Sequence, residues 1–438
     1  MRNRLFFLVA LGGLISPLSA QYKVQTRYEG SGALKEEYFV QAPGDTVLEG
    51  SFRRYYPNGQ VAITGAFHNG KRDSIFTEYY EDGQPKMEVR FEAGEREGPM
   101  VAYNREGRII QKAQYEDNQL KDTVYTYYDD GNPRRIGRFE NGWPEGLLRE
   151  YYPNGKVQKE IMYVGNKQNG ITKTYYPEGG LETEAHYKDG RVNGFYKVYY
   201  PNGALEKESM MVDGTRNGVF RHFSKSGQLL LEGHYTKGEL EGINRAFYED
   251  GTPRHEIRYD AGKKVGTALY YHPNGKVREQ IRYANDEKDR AVKTWDAQGV
   301  LLSEKTYVED QPAETWIYYY PNGKPQRQEP YANGRVTGVV KEFYEDGTRK
   351  EERSMQNDLR SGPAKTYYPS GQLESEGIWK ANSPIDTLTR YHENGQIAEK
   401  GGFRGGKRSG PWEVFNEKGK PLRTEIYRNG EIIETKAK

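Results

Sequence analysis

Short runs of alternating apolar and polar residues follow one another along this chain, separated by turn-forming residues. Alternation with a period of two predicts β-strands that bury one face. The runs are also in phase with one another. Aligned on Tyr151-Tyr152-Pro153-Asn154-Gly155, a glycine recurs at 59, 83, 107, 131, 155 and onward to 419, sixteen times at a spacing of 24 with no insertion or deletion. Eleven residues after each of these glycines lies a position that holds only Gly, Asn or Asp, as at Gly70, Asn118, Gly142, Asp286 and Asn382. Those residues tolerate positive φ, so a second turn recurs in every unit. Four residues further on comes a looser glycine column that includes Gly98, Gly146, Gly194 and Gly362. The expected fold is all-β: an elongated single-sheet array of about sixteen stacked antiparallel β-hairpin repeats of 24 residues. At about 4.8 Å per strand the ribbon would measure on the order of 150 Å along its contour.

The first turn can be read in more detail. Tyr-Pro-Asn-Gly sets Pro at the second position of a type I turn, Asn or Asp at the third and Gly at the fourth. A left-handed glycine there closes a three-residue hairpin loop with a bulge. Counted outward from that loop, the residue four before the glycine faces the residue two after it. The former is aromatic in all sixteen units, from Tyr55 through Tyr151 to Phe415, and the latter is mostly aliphatic or Pro, as at Val61, Val157 and Leu373. Another aromatic column stands eight after the glycine, at Phe67, Phe91, Tyr115 and onward. On strict alternation these three columns share a face and form the expected core. A competing register, with Asn-Gly alone as the loop, would set a basic column against a Glu column, as Arg149 against Glu160 or Lys365 against Glu376. Such cross-strand pairs contribute only about 0.2–1 kcal/mol, whereas burying one large apolar side chain contributes roughly 1.5–3 kcal/mol. The bulged register is therefore expected.

Composition narrows the class. Only 34% of residues are apolar and mean hydropathy is −1.00, yet 37 tyrosines lift the aromatic share to 13%. That is too little for thick cores and too much for a disordered chain; repeats with thin, Tyr-built packing reconcile the two. Lys and Arg total 65 against 63 Asp and Glu, so there is no electrostatic footprint for nucleic acid. Residues 1–20 read as a secretory signal, with Arg2 and Arg4, an apolar core from Leu5 to Ile15, and Ser16-Pro17-Leu18-Ser19-Ala20 before the cleavage point. That core is too short to span a bilayer. With no Cys, disulfides, lipoprotein thiols and Cys-based zinc sites are excluded. The expected organisation is a signal peptide at 1–20, an atypical capping segment at 21–50, the repeat array at 51–430 and a charged tail at 431–438. The mature chain should be exported, whether periplasmic, cell-surface or secreted, and should lack a membrane span.

The units themselves resemble a known family. Phe139-Glu140-Asn141-Gly142-Trp143-Pro144-Glu145-Gly146 and Tyr187-Lys188-Asp189-Gly190-Arg191-Val192-Asn193-Gly194 are similar to the aromatic-x-x-Gly-x-x-x-Gly signature of MORN repeats. Joined to Tyr-Tyr-Pro-Asn-Gly, they resemble the bacterial MORN-variant family, some members of which carry an antitoxin label. The resemblance covers about residues 51–430. It implies stacked hairpins and a role in binding or scaffolding, with no catalytic residues.

Candidate chemistry is sparse. The seven histidines fall in mixed columns; His186 and His234 share one, and His272 and His392 another, too far apart to share a metal. A repeated Glu such as Glu160 or Glu184 recurs once per unit, whereas a catalytic pair is normally unique. No catalytic, cofactor or metal residues are expected. The tyrosines three before the glycine should point away from the core, and Tyr128, Tyr152, Tyr176 and Tyr200 in consecutive units would make an aromatic ladder for glycans or extended peptides. The bland reading is that each ring covers the sheet and supports its turn. Trp316 joins the candidates because it closes the irregular stretch Ala284–Trp316, where two consecutive units depart from the pattern. The expected function is an exported, non-enzymatic scaffold that binds a protein or a cell-envelope polymer, glycans included. A purely architectural spacer is the alternative, and a carbohydrate-active enzyme, which would require a unique acidic pair, is a third reading.

Overall fold

The computed structural model describes residues 21–438; the leader read in residues 1–20 lies outside the described residues. The chain divides into two compact units, the first ending at Gly203 and the second starting at Ala204. Among the described residues every regular element is a β-strand. Within each unit successive strands pair antiparallel. They run from Tyr22–Arg27 to Arg191–Tyr199 in the first unit and from Leu205–Val212 to Glu431–Ala437 in the second. Residues 21–50 hold a hairpin, Tyr22–Arg27 with Leu34–Val40, laid onto Leu48–Tyr55. Residues 431–438 contribute the exposed strand Glu431–Ala437 beside Pro421–Arg428.

The first turn has the expected geometry. In the hairpin Trp143–Tyr151/Val157–Val164 the Gly155 amide donates to the Tyr152 carbonyl at 2.9 Å and the Tyr152 amide to the Lys156 carbonyl at 2.8 Å, with Gly155 at φ +80°. The second turn is tighter than the single left-handed residue expected. Both of its central residues are left-handed, as in Asn141 (φ +49°) with Gly142 (φ +82°) and Ala93 (φ +48°) with Gly94 (φ +94°). That is a type I′ loop, whose twist matches that of the flanking strands. The looser glycine column is left-handed as well, and Asp122, Glu314 and Asp386 adopt positive φ where that glycine is missing.

The register corrects the expected core. Tyr151 faces Val157, as the bulged loop requires, but a further bulge between Glu150 and Tyr151 then sets Glu150 against Lys159 and Arg149 against Glu160. The two registers weighed as rivals thus occur in one hairpin, on either side of one extra residue. The bulge also parts the aromatic columns. The tyrosines four before the glycine lie with the ion pairs, where Tyr175 donates to Glu160 at 2.8 Å and Tyr391 to Glu376 at 2.8 Å. The aromatics eight after the glycine lie on the opposite face, with the actual core.

That core is built from a column seven before the glycine and its cross-strand partner six after it, as in Leu148 facing Ile161 and Phe76 facing Val89. In the first unit Phe52, Phe67, Phe76 and Phe91 meet edge to face, with ring centres 5.3–5.4 Å apart. Arginines lie over the rings, with Arg72 4.8 Å from the centre of Phe76 and Arg408 3.8 Å from that of Trp412. Side chains across a strand pair compensate in size. Gly65 sits against Phe76 and Gly401 against Trp412, so close that a Cβ on Gly401 would fall 2.2 Å from the indole.

The irregular stretch keeps its phase by an exchange. Between Val277–Ala284 and Asp289–Trp295 the pairing runs without a bulge, and the loop lengthens to Asn285-Asp286-Glu287-Lys288, with three consecutive left-handed residues. Two residues that elsewhere sit inside the strand have moved into the loop, so the period of 24 survives.

Two outcomes follow from this packing. Gly401→Ala should overpack the Trp412 site by about 1–3 kcal/mol and lower the unfolding midpoint of the chain. Gly402→Ala, whose nearest neighbour would be 3.8 Å away, should not reproduce the effect. In the second case, a hydrogen bond from Arg149 holds the Glu160 carboxyl below its usual range; burial opposes this and Tyr175 assists it. Because the folded value is the lower one, this stabilisation is present above the ordinary Glu pKa and lost as pH falls through the folded value. Glu160→Gln should therefore narrow the gap between urea midpoints measured at neutral and acidic pH.

Candidate binding surface

The tyrosines expected to form an outward ladder are half-buried, and the hydroxyls of Tyr128, Tyr152 and Tyr176 are engaged. Tyr128 donates to the Tyr151 carbonyl at 2.7 Å, Tyr152 to that of Tyr175 at 2.7 Å and Tyr176 to that of Tyr199 at 2.6 Å. Tyr320, Tyr344 and Tyr368 do the same in the second unit, at 2.8 Å each. Where the column holds histidine the ring takes over the bond: Nε2 of His272 lies 3.0 Å from the Trp295 carbonyl and that of His392 3.1 Å from the Phe415 carbonyl. This explains why those two histidines share a column. Where Asn precedes the turn glycine it adds a second tie. Its Oδ1 accepts from the amide two residues on and its Nδ2 donates to the next turn, as from Asn154 to the Pro177 carbonyl at 2.8 Å. Tyr200 is half-buried in its own turn, its carbonyl accepting from the Gly203 amide at 2.8 Å. Beside these rings, shallow depressions recur at equivalent places: one in the first unit among Tyr128, Arg134, Arg135, Glu150 and Tyr151, and one in the second among Tyr320, Gln326, Arg327, Phe343 and Lys350.

Trp316 stands in the core column of the second unit, not on the turn edge. It packs 5.1 Å from Tyr307 and 4.5 Å from Tyr331, and its Nε1 donates to the Thr306 carbonyl at 2.9 Å. Around it the core column turns charged in three successive repeats, at Lys305, Glu329 and Arg353. Lys305 covers the Trp316 ring at 5.1 Å, Arg327 pairs with Glu329, and Glu342 faces Glu351 directly across the strands. Facing like charges destabilise a sheet, and here Arg353 answers both carboxylates, at 2.8 and 2.5 Å. Burial alone would lower the Arg353 pKa; the two carboxylates outweigh it and raise it. Glu342 and Glu351 are both engaged by Arg353, and Glu351 is also paired with Arg360 at 3.3 Å.

The face carrying the ion pairs is the more open one. Across it runs a ladder of alternating charge, Arg149–Glu160–Lys173–Glu184–Lys197, each member facing the next. Beside the ladder, in the first unit, is a row the sequence reading missed. Leu147 faces Met162, Ile171 faces His186, and Phe195 follows on the next strand, with Trp143 and Val164 bordering them. These six apolar side chains are 36–59% exposed. Elsewhere their columns mix Thr, Arg and Pro with single apolar residues such as Ile75, Ile243 and Val339, so only the clustering in neighbouring repeats signals the row. Among the described residues no group of three His, Asp or Glu side chains is placed to hold a metal ion, and no helix is long and apolar enough to cross a membrane.

The model of the MORN repeat variant matches residues 48–69, 72–93, 144–164, 168–189, 216–237, 264–285, 315–333, 336–357 and 360–381. These nine stretches of the chain are MORN-variant repeats. The matches fall in both units, and the MORN-variant pattern is met by nine stretches of the array. No curated protein matches the chain. Among solved structures it is similar to the crystal structure of TcdB2-TccC3-TEV, at 12% identity over 91% of this chain and 27% of that one, with a TM-score of 0.15. It is also similar to the Photorhabdus luminescens Tc holotoxin pore, at 12% identity over 91% and 24%, with a TM-score of 0.14. The chain thus spans about a quarter of the length of those structures.

Burial makes some tyrosines of the array a late-ionising class. It pushes Tyr175 up to about 12, helped by Glu160, and Tyr270 up to about 12, helped by Tyr283. An alkaline titration followed in the near ultraviolet should resolve this late class above the ordinary phenol range. The raised folded values mean that the stability they contribute is complete below the ordinary Tyr pKa and lost as pH rises through about 12. The late class should therefore ionise together with loss of β-sheet circular dichroism.

Proposed function

We propose that this chain is a non-catalytic MORN-variant scaffold that works outside the cytoplasm and holds a protein or cell-envelope polymer along an extended face. The observation that carries this reading is the tie between successive repeats. Tyr, His and Asn side chains at the first turn each bond the backbone of the following repeat. Outward side chains are thereby held at intervals of one repeat, about 10 Å at ordinary strand spacing. Equivalent depressions recur beside the turn tyrosines in both units. The export half of the proposal rests on the charged, apolar and small-residue order of residues 1–20. Repeat arrays stack units into long binding surfaces in this manner.

The test is affinity capture from the native envelope with the mature chain, followed by titration of the captured component. Saturable binding that survives single Glu or His substitutions, and weakens when whole repeats are deleted, is the expected result. A chain that captures nothing, and whose role tolerates removal of whole repeats, would be an architectural spacer.

A further inference from the structure

The exposed row of the first unit is where the array departs most from a polar surface, and its surroundings define what would cover it. Leu147, Met162, Ile171 and Phe195 lie on the strands Trp143–Tyr151, Val157–Val164, Gly170–Tyr175 and Arg191–Tyr199, and His186 on Leu181–Lys188 fills the step between the last two. Gly170 lies against Met162, and a Cβ on Gly194 would meet the His186 ring at 2.7 Å, so the row is continuous. Five strands at about 4.8 Å make it about 19 Å long, the length of about thirteen residues of α-helix at 1.5 Å each. One flank is the alternating ladder, in which Arg149 is paired with Glu160. The other flank is the second-turn edge. There Arg138, Lys167, Lys188 and Arg191 are exposed, with Glu140 and the turn residue Asp189 as the acidic exceptions; Glu145 is committed to the Gly165 amide at 2.8 Å.

We propose that this row seats an amphipathic helix of a partner protein, its apolar stripe on Leu147, Met162, Ile171 and Phe195 and its acidic flank toward Lys167, Lys188 and Arg191. The proposal rests on the scaffold reading above and names the chemistry of its partner. A helix laid across a sheet presents apolar anchors at spacings of three and four residues, which suits a single narrow row. An anionic lipid surface fits less well, because Glu160 and Glu184 stand on the same face and would meet the headgroups. Isolated apolar side chains are ordinary on protein surfaces, whereas a bordered cluster marks a contact site.

Trp143 reports on the site, since it is 59% exposed while Trp412 is fully buried. The experiment titrates the mature chain with a synthetic amphipathic helix bearing Leu on one face and Glu on its flanks. The same helix with Lys for Glu, and phosphatidylglycerol vesicles, serve as comparison arms, and Trp143 fluorescence and calorimetry are the readouts. Saturable binding of the Glu helix with a blue shift, loss of at least tenfold in affinity in Ile171→Ser and Phe195→Ser, and no loss in Val339→Ser of the second unit are expected. Circular dichroism of each variant confirms that the fold is kept. Equal binding of both helices, binding of vesicles alone, a concentration-dependent shift of the free chain from self-association, or no binding would each overturn the proposal. Envelope capture undiminished in the Ile171→Ser/Phe195→Ser variant would remove this row while leaving the scaffold reading intact; capture lost in the wild-type chain removes the scaffold reading itself.

Discussion

Strands that pair only with their neighbours, with no helix laid on them, must bury apolar side chains against one another. Everything else in these units follows from how that constraint is met. Strands that lie side by side share the space on this face, so Gly65 makes room for Phe76 and Gly401 for Trp412. Guanidinium groups then close over the rings, as Arg72 does over Phe76 and Phe91 and Arg408 over Trp412 and Tyr427. A flat cation of this kind packs like an apolar side chain while its edge stays hydrated. This is how a chain with only 34% apolar residues leaves Trp412 and Val340 without exposure.

Much of this was legible in the sequence, and the exceptions have definite causes. The glycine ruler, the type I turn and the contact between Tyr151 and Val157 could be read because each rests on a residue with a narrow steric role. The second bulge could not, since its site carries ordinary residues such as Lys159 and Gln158 and is set by twist. Missing it placed the tyrosines four before the glycine in the core, when they lie beside the ion pairs. The true core column was hidden because its identity varies from Ala and Thr to Trp. Likewise Ala93, Ala261 and Ala381 give no hint of positive φ; the two-residue loop imposes it on them.

The candidate surface divides in the same way. Tyr128, Tyr152 and Tyr176 were identifiable as a column, but not that their hydroxyls bond the following repeat, because the acceptor is backbone and leaves no mark in the sequence. Trp316 was noticed for its irregular surroundings, and the core column beside and beyond it holds charges in three successive repeats, at Lys305, Glu329 and Arg353. Buried ionic groups of this kind add little net stability and are strongly destabilising when one partner is lost.

The ties at the first turn have a direction. Tyr56, Tyr128, Tyr152 and Asn154 all reach toward the carboxyl-terminal side, and what they grasp is always backbone carbonyl. A repeat that has just formed therefore holds out finished side chains, while the repeat that follows need supply only its main chain. A polypeptide made from its amino end meets this arrangement in the favourable order, each hairpin serving as a jig for the next. Growth in the opposite sense would ask an unfolded segment to supply the arms, so the array carries an inherent polarity of assembly that its regular period conceals.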